Sequence, residues 1–185
     1  ALDILAHGIS AGDGVYPLSG MSTQIRQPVG LQGFNREEQN RLKQEAFFKT
    51  GTWFFNKQGF NGTSLDEIAE QLNVSKGAFY YHIKNKEDLL FHCYVRSLGI
   101  VEDIHEQARA HGSNGMARAE FTCRHTFYTQ NSEQGPLIRY NTITALPPQR
   151  RREILKRTDR ANKVFTDFLS EGIEDGSVRP IDTFV

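Results

Sequence analysis

Residues 64–83 read SLDEIAEQLNVSKGAFYYHI, and no other stretch narrows the choice of fold as far. Ser64 with Glu67 three positions on makes a capping box, so a helix starts there. Leu65, Ile68, Ala69 and Leu72 recur at helical spacing as its buried face. Asn73 marks a tight turn, Ser75 caps the next helix, and that helix ends near Ile83. Two short helices across a turn of about three residues form a helix-turn-helix. The preceding stretch supplies a third helix. Asn35 and Glu38 form another capping box, and Phe47, Phe48, Gly51, Phe54 and Phe55 lie on one apolar stripe. The helix runs to Gln58, and Gly59 is its stop.

The second short helix has an unusual makeup. Val74 just before it, then Ala78, Phe79 and Ile83, give it one apolar side that locks it onto the two preceding helices. Its remaining surface carries groups suited to a polyanion. In a helix-turn-helix this second helix lies in the DNA major groove, its N-terminal residues against base edges. Ser75 and the first amides of the helix offer donors to phosphate, aided by the positive end of the dipole. Lys76 adds a charge at the point of entry, and Gly77, without a side chain, lets the backbone approach closely. Tyr80 and Tyr81 bring hydroxyls for phosphate and ring area for sugar or thymine methyl groups. His82 is a further donor. Lys86 opposes the dipole of the next helix, a placement that makes sense beside a phosphate. Ala78 is only a methyl group and can touch thymine but cannot hydrogen-bond a base.

The rest of the chain reads as helical too, since no alternating run is bounded by hairpin turns. Asn85 caps a long fourth helix with Leu89, Leu90, Cys93, Ser97, Ile100, Val101 and Ile104 along one side. Further helices are expected from Met116 to Gln130, from Pro136, and from Pro148 to Gly176. Residues 10–34, rich in Gly, Ser, Pro and Gln, read as a linker, and ALDILAHGI before them as a short amphipathic helix. Lys+Arg and Asp+Glu both number 22, so any nucleic-acid footprint is a local patch rather than a global excess. Two cysteines, Cys93 and Cys123, do not make a disulfide scaffold and read as buried free thiols of a reducing compartment. No apolar run reaches the roughly 20 residues of a membrane span, and no signal-peptide pattern is present. A cytoplasmic location, without membrane partner, cofactor or metal, is the expectation. Enzymatic pairings do not converge: Cys123 and His125, two apart on a helix, point to different sides.

The aromatic-rich first helix, Gly59-Phe60, Thr63, Ile68-Ala69, Val74-Ser75, Gly77, Tyr80, His82, and Lys86 followed by an acidic residue and Leu89 together resemble the TetR/AcrR-type transcriptional regulators. The resemblance covers roughly residues 47–90. It implies an all-α homodimer with an N-terminal three-helix DNA-binding domain and a C-terminal helical domain for ligand binding and dimerisation. On this chain those become residues 35–88, with the motif at about 64–83, and residues 89–185. Residues 1–34 are then an extension or linker, or the tail of a preceding unit, because ALDILAHGI is a little like a terminal helix of such a unit. The helices that close the dimer interface are expected beyond the stretch given. The double-stranded DNA partner is a near-palindromic operator, contacted by Thr63, Ser64, Ser75, Lys76, Gly77, Ala78, Tyr80, Tyr81, His82 and Lys86.

The implied function is repression, relieved by a small hydrophobic or acyl-CoA-like effector. The helix from Met116 is apolar on two sides, with Met116, Ala119, Cys123 and Phe127 on one and Ala117, Phe121 and Tyr128 on the other. Such a helix separates a core from a cavity or is plain core. Phe121, Arg124, His125, Tyr128, Arg139 and Tyr140 are the candidate effector contacts. Arg150, Arg151 and Arg152 with Lys156, Arg157 and Arg160 read as a solvated face, although the segment around them is similar to acyl-CoA-sensing members. The alternative to a regulator is a helical interaction module with a vestigial helix-turn-helix and no operator binding.

Overall fold

The computed structural model describes residues 36–181, all of whose regular structure is helical. The expected N-terminal helix, the linker and the Asn35 cap lie outside the described residues. The helices are α1 (Arg36–Gly62), α2 (Leu65–Gln71), α3 (Lys76–His82), α4 (Lys86–His111), α5 (Gly115–Gln130) and α6 (Pro148–Glu174), with a 3-10 helix at Tyr140–Ala145. The chain forms two compact units. One takes in residues 36–99 and 129–157, the other 100–128 and 158–181.

The first unit is built on rings. Phe47, Phe54 and Phe55 of α1 are buried with Ile68, Ala69, Phe79, Ile83, Leu89, Leu90, Cys93 and Tyr94 in one core. The apolar stripe of α1 is therefore its buried face. Gly51 belongs to that stripe because α4 presses against it: a Cβ there would sit 3.0 Å from the Leu89 side chain. At Gly59 the backbone turns to φ 71°, a left-handed conformation that glycine adopts without strain, and one further turn follows to Gly62. The Thr63 hydroxyl then donates to the Gly59 carbonyl at 2.7 Å and closes the corner into α2.

One expected helix is absent. Residues 131–139 are turn and irregular chain, so Pro136 opens no helix. Their backbone groups are taken by side chains of neighbouring helices instead. Asn56 donates to the Leu137 carbonyl and accepts from the Arg139 amide, at 2.8 and 2.9 Å. The Ser97 hydroxyl accepts from Ile138 at 2.9 Å, and Arg96 donates to the Gln134 carbonyl at 2.5 Å while pairing with Glu45. Tyr94 reaches the Arg139 carbonyl with its hydroxyl at 2.9 Å. Buried backbone groups need partners, and here they find them without a helix.

The second unit is built on close approach. A Cβ at Gly115 would overlap the backbone of Gly172 and the Phe168 carbonyl, and one at Gly172 would overlap Val178. The start of α5 is capped from the end of α6: Asp175 accepts from the Gly115 amide at 2.8 Å and Ser177 from the Met116 amide at 3.1 Å. Asn114 accepts from the Ala117 amide at 2.8 Å. Hydrogen bonds from Ser177 and the Gly115 amide hold the Asp175 carboxyl below its ordinary range. Among the described residues no helix is long and apolar enough to cross a membrane.

Candidate nucleic-acid interface

α2 and α3 are each two turns long and are fixed by caps at both starts. Ser64 accepts from the Glu67 amide at 3.5 Å, and Ser75 from the Ala78 amide at 3.2 Å. Asn73 takes φ 53° between them, a conformation asparagine tolerates better than most residues, and the Val74 amide returns to the Ala69 carbonyl at 3.0 Å. Phe79 and Ile83 are fully buried, with the Phe79 ring 4.9 Å from that of Phe47. This anchoring decides what α3 shows to solvent. Ser75, Lys76, Gly77, Ala78, Tyr80 and Tyr81 all lie exposed, Tyr81 at 81%. A Cβ at Gly77 would meet nothing, so the protein's own packing does not require glycine there.

Four of the residues expected at this surface stand differently. Thr63 is buried, and its hydroxyl serves the corner at Gly59. Ser64 is half-buried as the cap of α2. His82 is half-buried, its ring 5.8 Å from Phe47 and 5.0 Å from Tyr81. Lys86 turns inward: its ammonium donates to the Thr63 carbonyl at 2.9 Å and lies 4.8 Å from the centre of the Phe60 ring. A cation at a helix start finds its partner in the chain itself.

Asp66 went unnoticed in the sequence. From the first turn of α2 it accepts from Lys76 at 2.5 Å and from the Tyr80 hydroxyl at 3.3 Å. The Lys76 hydrogen bond holds the Asp66 carboxyl below its ordinary range, and the same bond raises Lys76. Partial desolvation and the Asp66 charge raise Tyr80. An acid in a first turn is usually accounted for by the helix dipole, so nothing local announces a partner ten residues on. Beside the pair lies a hollow of about 600 Å³ lined by Asp66, Glu67, Glu70, Asn73, Ser75 and Lys76 among others.

A second unanticipated contact ties α6 to the base of the helix-turn-helix. Asp88 at the start of α4 accepts from the Lys84 amide at 3.3 Å and pairs with Arg150 at 2.9 Å. Burial alone would raise the Asp88 carboxyl, but the Arg150 and Lys84 hydrogen bonds and the charges of His92 and Arg150 bring it below its ordinary value. Arg150 also lies 4.8 Å over the Phe91 ring, and Arg157 donates to the Val95 carbonyl at 3.3 Å. These two members of the basic run are structural rather than solvated.

The candidate effector contacts divide. Phe121, Arg124, His125 and Tyr128 belong to the second unit, Arg139 and Tyr140 to the first. Phe121 and His125 are buried and stacked at 3.7 Å, with His125 Nδ1 2.9 Å from the Phe121 carbonyl. Arg124 pairs with Glu120 at 2.7 Å. Tyr128 is 47% exposed, Phe127 67%, and Cys123 is exposed as well, so only one side of this helix is core. Arg139 is exposed, and Tyr140 is half-exposed with its ring 5.6 Å from Tyr94. Among the described residues no group of His, Cys, Asp and Glu is placed to hold a metal ion.

Residues 50–93 match the model of the bacterial regulatory proteins of the tetR family. The Transposon Tn10 TetC protein of Escherichia coli is 30% identical over 96 residues, 51% of this chain and 48% of that one. The biofilm operon icaADBC negative regulator IcaR of Staphylococcus epidermidis (strain ATCC 35984) is 43% identical over 35 residues, 19% of each chain. Among solved structures, AibR in complex with isovaleryl coenzyme A and operator DNA has the same fold, with a TM-score of 0.65 at 24% identity over 76% of this chain and 77% of that one. The chain spans about half the length, or less, of the curated relatives it matches.

Proposed function

We propose that this chain is a TetR-family transcriptional regulator, the family whose model residues 50–93 match, and that it is a ligand-responsive repressor that binds a near-palindromic operator as a homodimer. The observation that carries the reading is the outward face of α3. Phe79 and Ile83 hold the helix down, and the exposed positions from Ser75 to Tyr81 then present hydroxyls, a cation, bare backbone at Gly77 and the methyl group of Ala78. Ser75, Lys76, Tyr80 and Tyr81 contact phosphate and sugar, Gly77 permits close approach, and Ala78 meets a base edge through its methyl group. Ser64 adds a contact from the start of α2. Thr63, His82 and Lys86 act behind this surface by fixing the corner and the seat of α3, and reach phosphate only at its edge.

Repression is supported by the likeness to IcaR, a negative regulator, and an acyl-CoA-like effector by the likeness to AibR, which was solved with isovaleryl coenzyme A and operator DNA. An effector held by the C-terminal helical domain would shift α6 and α4, and the Asp88–Arg150 pair links the starts of both to the helix-turn-helix. The test is operator selection from a random duplex library, followed by footprinting and release assays with acyl-CoAs of graded chain length. Two symmetric half-sites are expected, with recognition helices about 34–36 Å apart or a multiple of it. A single unsymmetrical half-site bound by a monomer would sink the dimer. The competing reading, an interaction module without operator binding, draws on one observation: Asp66 neutralises the exposed cation of α3. Absence of binding to every duplex in a shift assay would favour it.

A further inference from the structure

We propose that Asp66 is a built-in counter-ion that DNA must displace, holding Lys76 and Tyr80 in the free protein and thereby setting the strength and salt dependence of DNA binding. The inference rests on the DNA-binding reading above. Lys76 and Tyr80 are four residues apart on α3 and so share one face, and Asp66 takes a hydrogen bond from each, at 2.5 and 3.3 Å, from the other helix of the motif. The pair stands in solvent, with side-chain exposures of 69% for Lys76 and 48% for Asp66. An exposed pair of this kind adds little to stability, so holding the fold together does not explain it. A phosphate has open access to it. Among the residues lining the adjoining hollow, Lys76 is the one cation beside Asp66, Glu67 and Glu70. An approaching phosphate therefore meets a neutral pair backed by carboxylates rather than a free ammonium.

Displacement has a thermodynamic signature. A lysine that meets a phosphate releases a cation condensed on the DNA, which gives the salt dependence of binding. When that lysine first leaves Asp66, the bared carboxylate gathers a cation of its own, and the net release shrinks. Asparagine at this position keeps the size and a hydrogen-bonding oxygen but demands no cation. Both tyrosine and lysine then face DNA unopposed.

The experiment is equilibrium binding of the whole protein to its selected operator and to an unrelated duplex, between 50 and 200 mM salt. Asp66→Asn is expected to steepen the fall of log affinity with log salt by about one unit per half-site, roughly a fourfold larger loss per half-site over that range. The gain in affinity at low salt should be equal on both duplexes, since a phosphate contact carries no sequence information. Lys76→Ala should change the slope by about one unit per half-site in the Asp66→Asn background and clearly less in the native one. Asp66→Ser serves as a second variant and should reproduce the steeper slope. Weaker binding by both Asp66 variants while their thermal unfolding matches the native protein would make Asp66 an orienting residue and overturn the proposal. So would an unchanged slope. If the native protein and its variants bind no duplex, the DNA-binding reading itself falls and takes this inference with it.

Discussion

Residues 36–99 with 129–157 close around large rings, whereas residues 100–128 with 158–181 close around two glycines. In the first unit Phe47, Phe55, Phe79 and Tyr94 fill the space, and side chains such as Asn56, Arg96 and Ser97 take up stray backbone groups of the segment 131–139. In the second, Gly115 and Gly172 let backbones touch, and Asp175 and Ser177 cap the helix that starts there. The first arrangement holds one short helix at a defined angle with its polar face outward. The second puts little volume at its crossing and leaves Phe127 and Tyr128 exposed. A surface that must present groups with fixed geometry needs the rigid support that large, well-packed side chains supply.

The largest expected effects test that contrast directly. Phe79→Ala removes a fully buried ring packed at a tilt against Phe47 and should cost about 3–5 kcal/mol of unfolding free energy. Gly115→Ala adds a single carbon, yet it should cost about 1–3 kcal/mol, towards the upper end because its obstacle is backbone that cannot rotate away. Urea unfolding followed by far-ultraviolet circular dichroism measures both. A neutral Gly115→Ala would mean that the crossing is loose and the contrast fails on that side.

A smaller effect concerns the tie between α4 and α6. Asp88→Asn and Arg150→Ala should each cost about 1–3 kcal/mol at neutral pH, the range for a hydrogen bond to a charged group. The pH dependence follows from the direction of the shift. Asp88 is held below its ordinary value of 3.8, so its contribution is complete above 3.8 and is lost as pH falls through the lower folded value. Stability curves of the native protein and Asp88→Asn should therefore run parallel near neutrality and converge in acid. Curves that remain parallel down to pH 2 would show that Asp88 carries no titrating contribution.

How much of this was legible depends on how far a signal reaches along the chain. The stripe of α1, the capping boxes at Ser64 and Ser75 and the burial of Phe79 are all written within a few residues, and the motif was read from them. Pairs distant in sequence left no such mark: Asp66 with Lys76, Asp88 with Arg150, Lys86 with the Thr63 carbonyl. Lys86 shows the limit of a local rule: a cation at a helix start reads as waiting for a phosphate, and a carbonyl 23 residues away meets it in the free chain. Pro136 misled for a related reason. Its suitability for a first helical turn is local, while the side chains that claim residues 134–139 come from α1, α4 and the end of α5.

The smallest effect compares the two thiols, one in each unit. Cys93 is fully buried against α1, its Sγ 3.3 Å from the Phe48 carbonyl, and burial pushes its thiol up to about 12. Cys123 is exposed, although the part of it that is shielded also raises its thiol. The thiolate is the reactive form, so both are slow at neutral pH, and access separates them. At pH 8 a disulfide reagent should modify Cys123 in the folded protein and reach Cys93 only when the first unit opens. The rate at Cys93 then reports that opening rather than thiol chemistry, and it should rise in Phe79→Ala while the rate at Cys123 stays unchanged. Cys123→Ser should shift stability by no more than about 0.5 kcal/mol, as surface changes do. If Cys93 reacts as fast as Cys123 in the native protein, the ring-filled core is opening far more readily than its packing allows, and the support argued for α3 is not rigid.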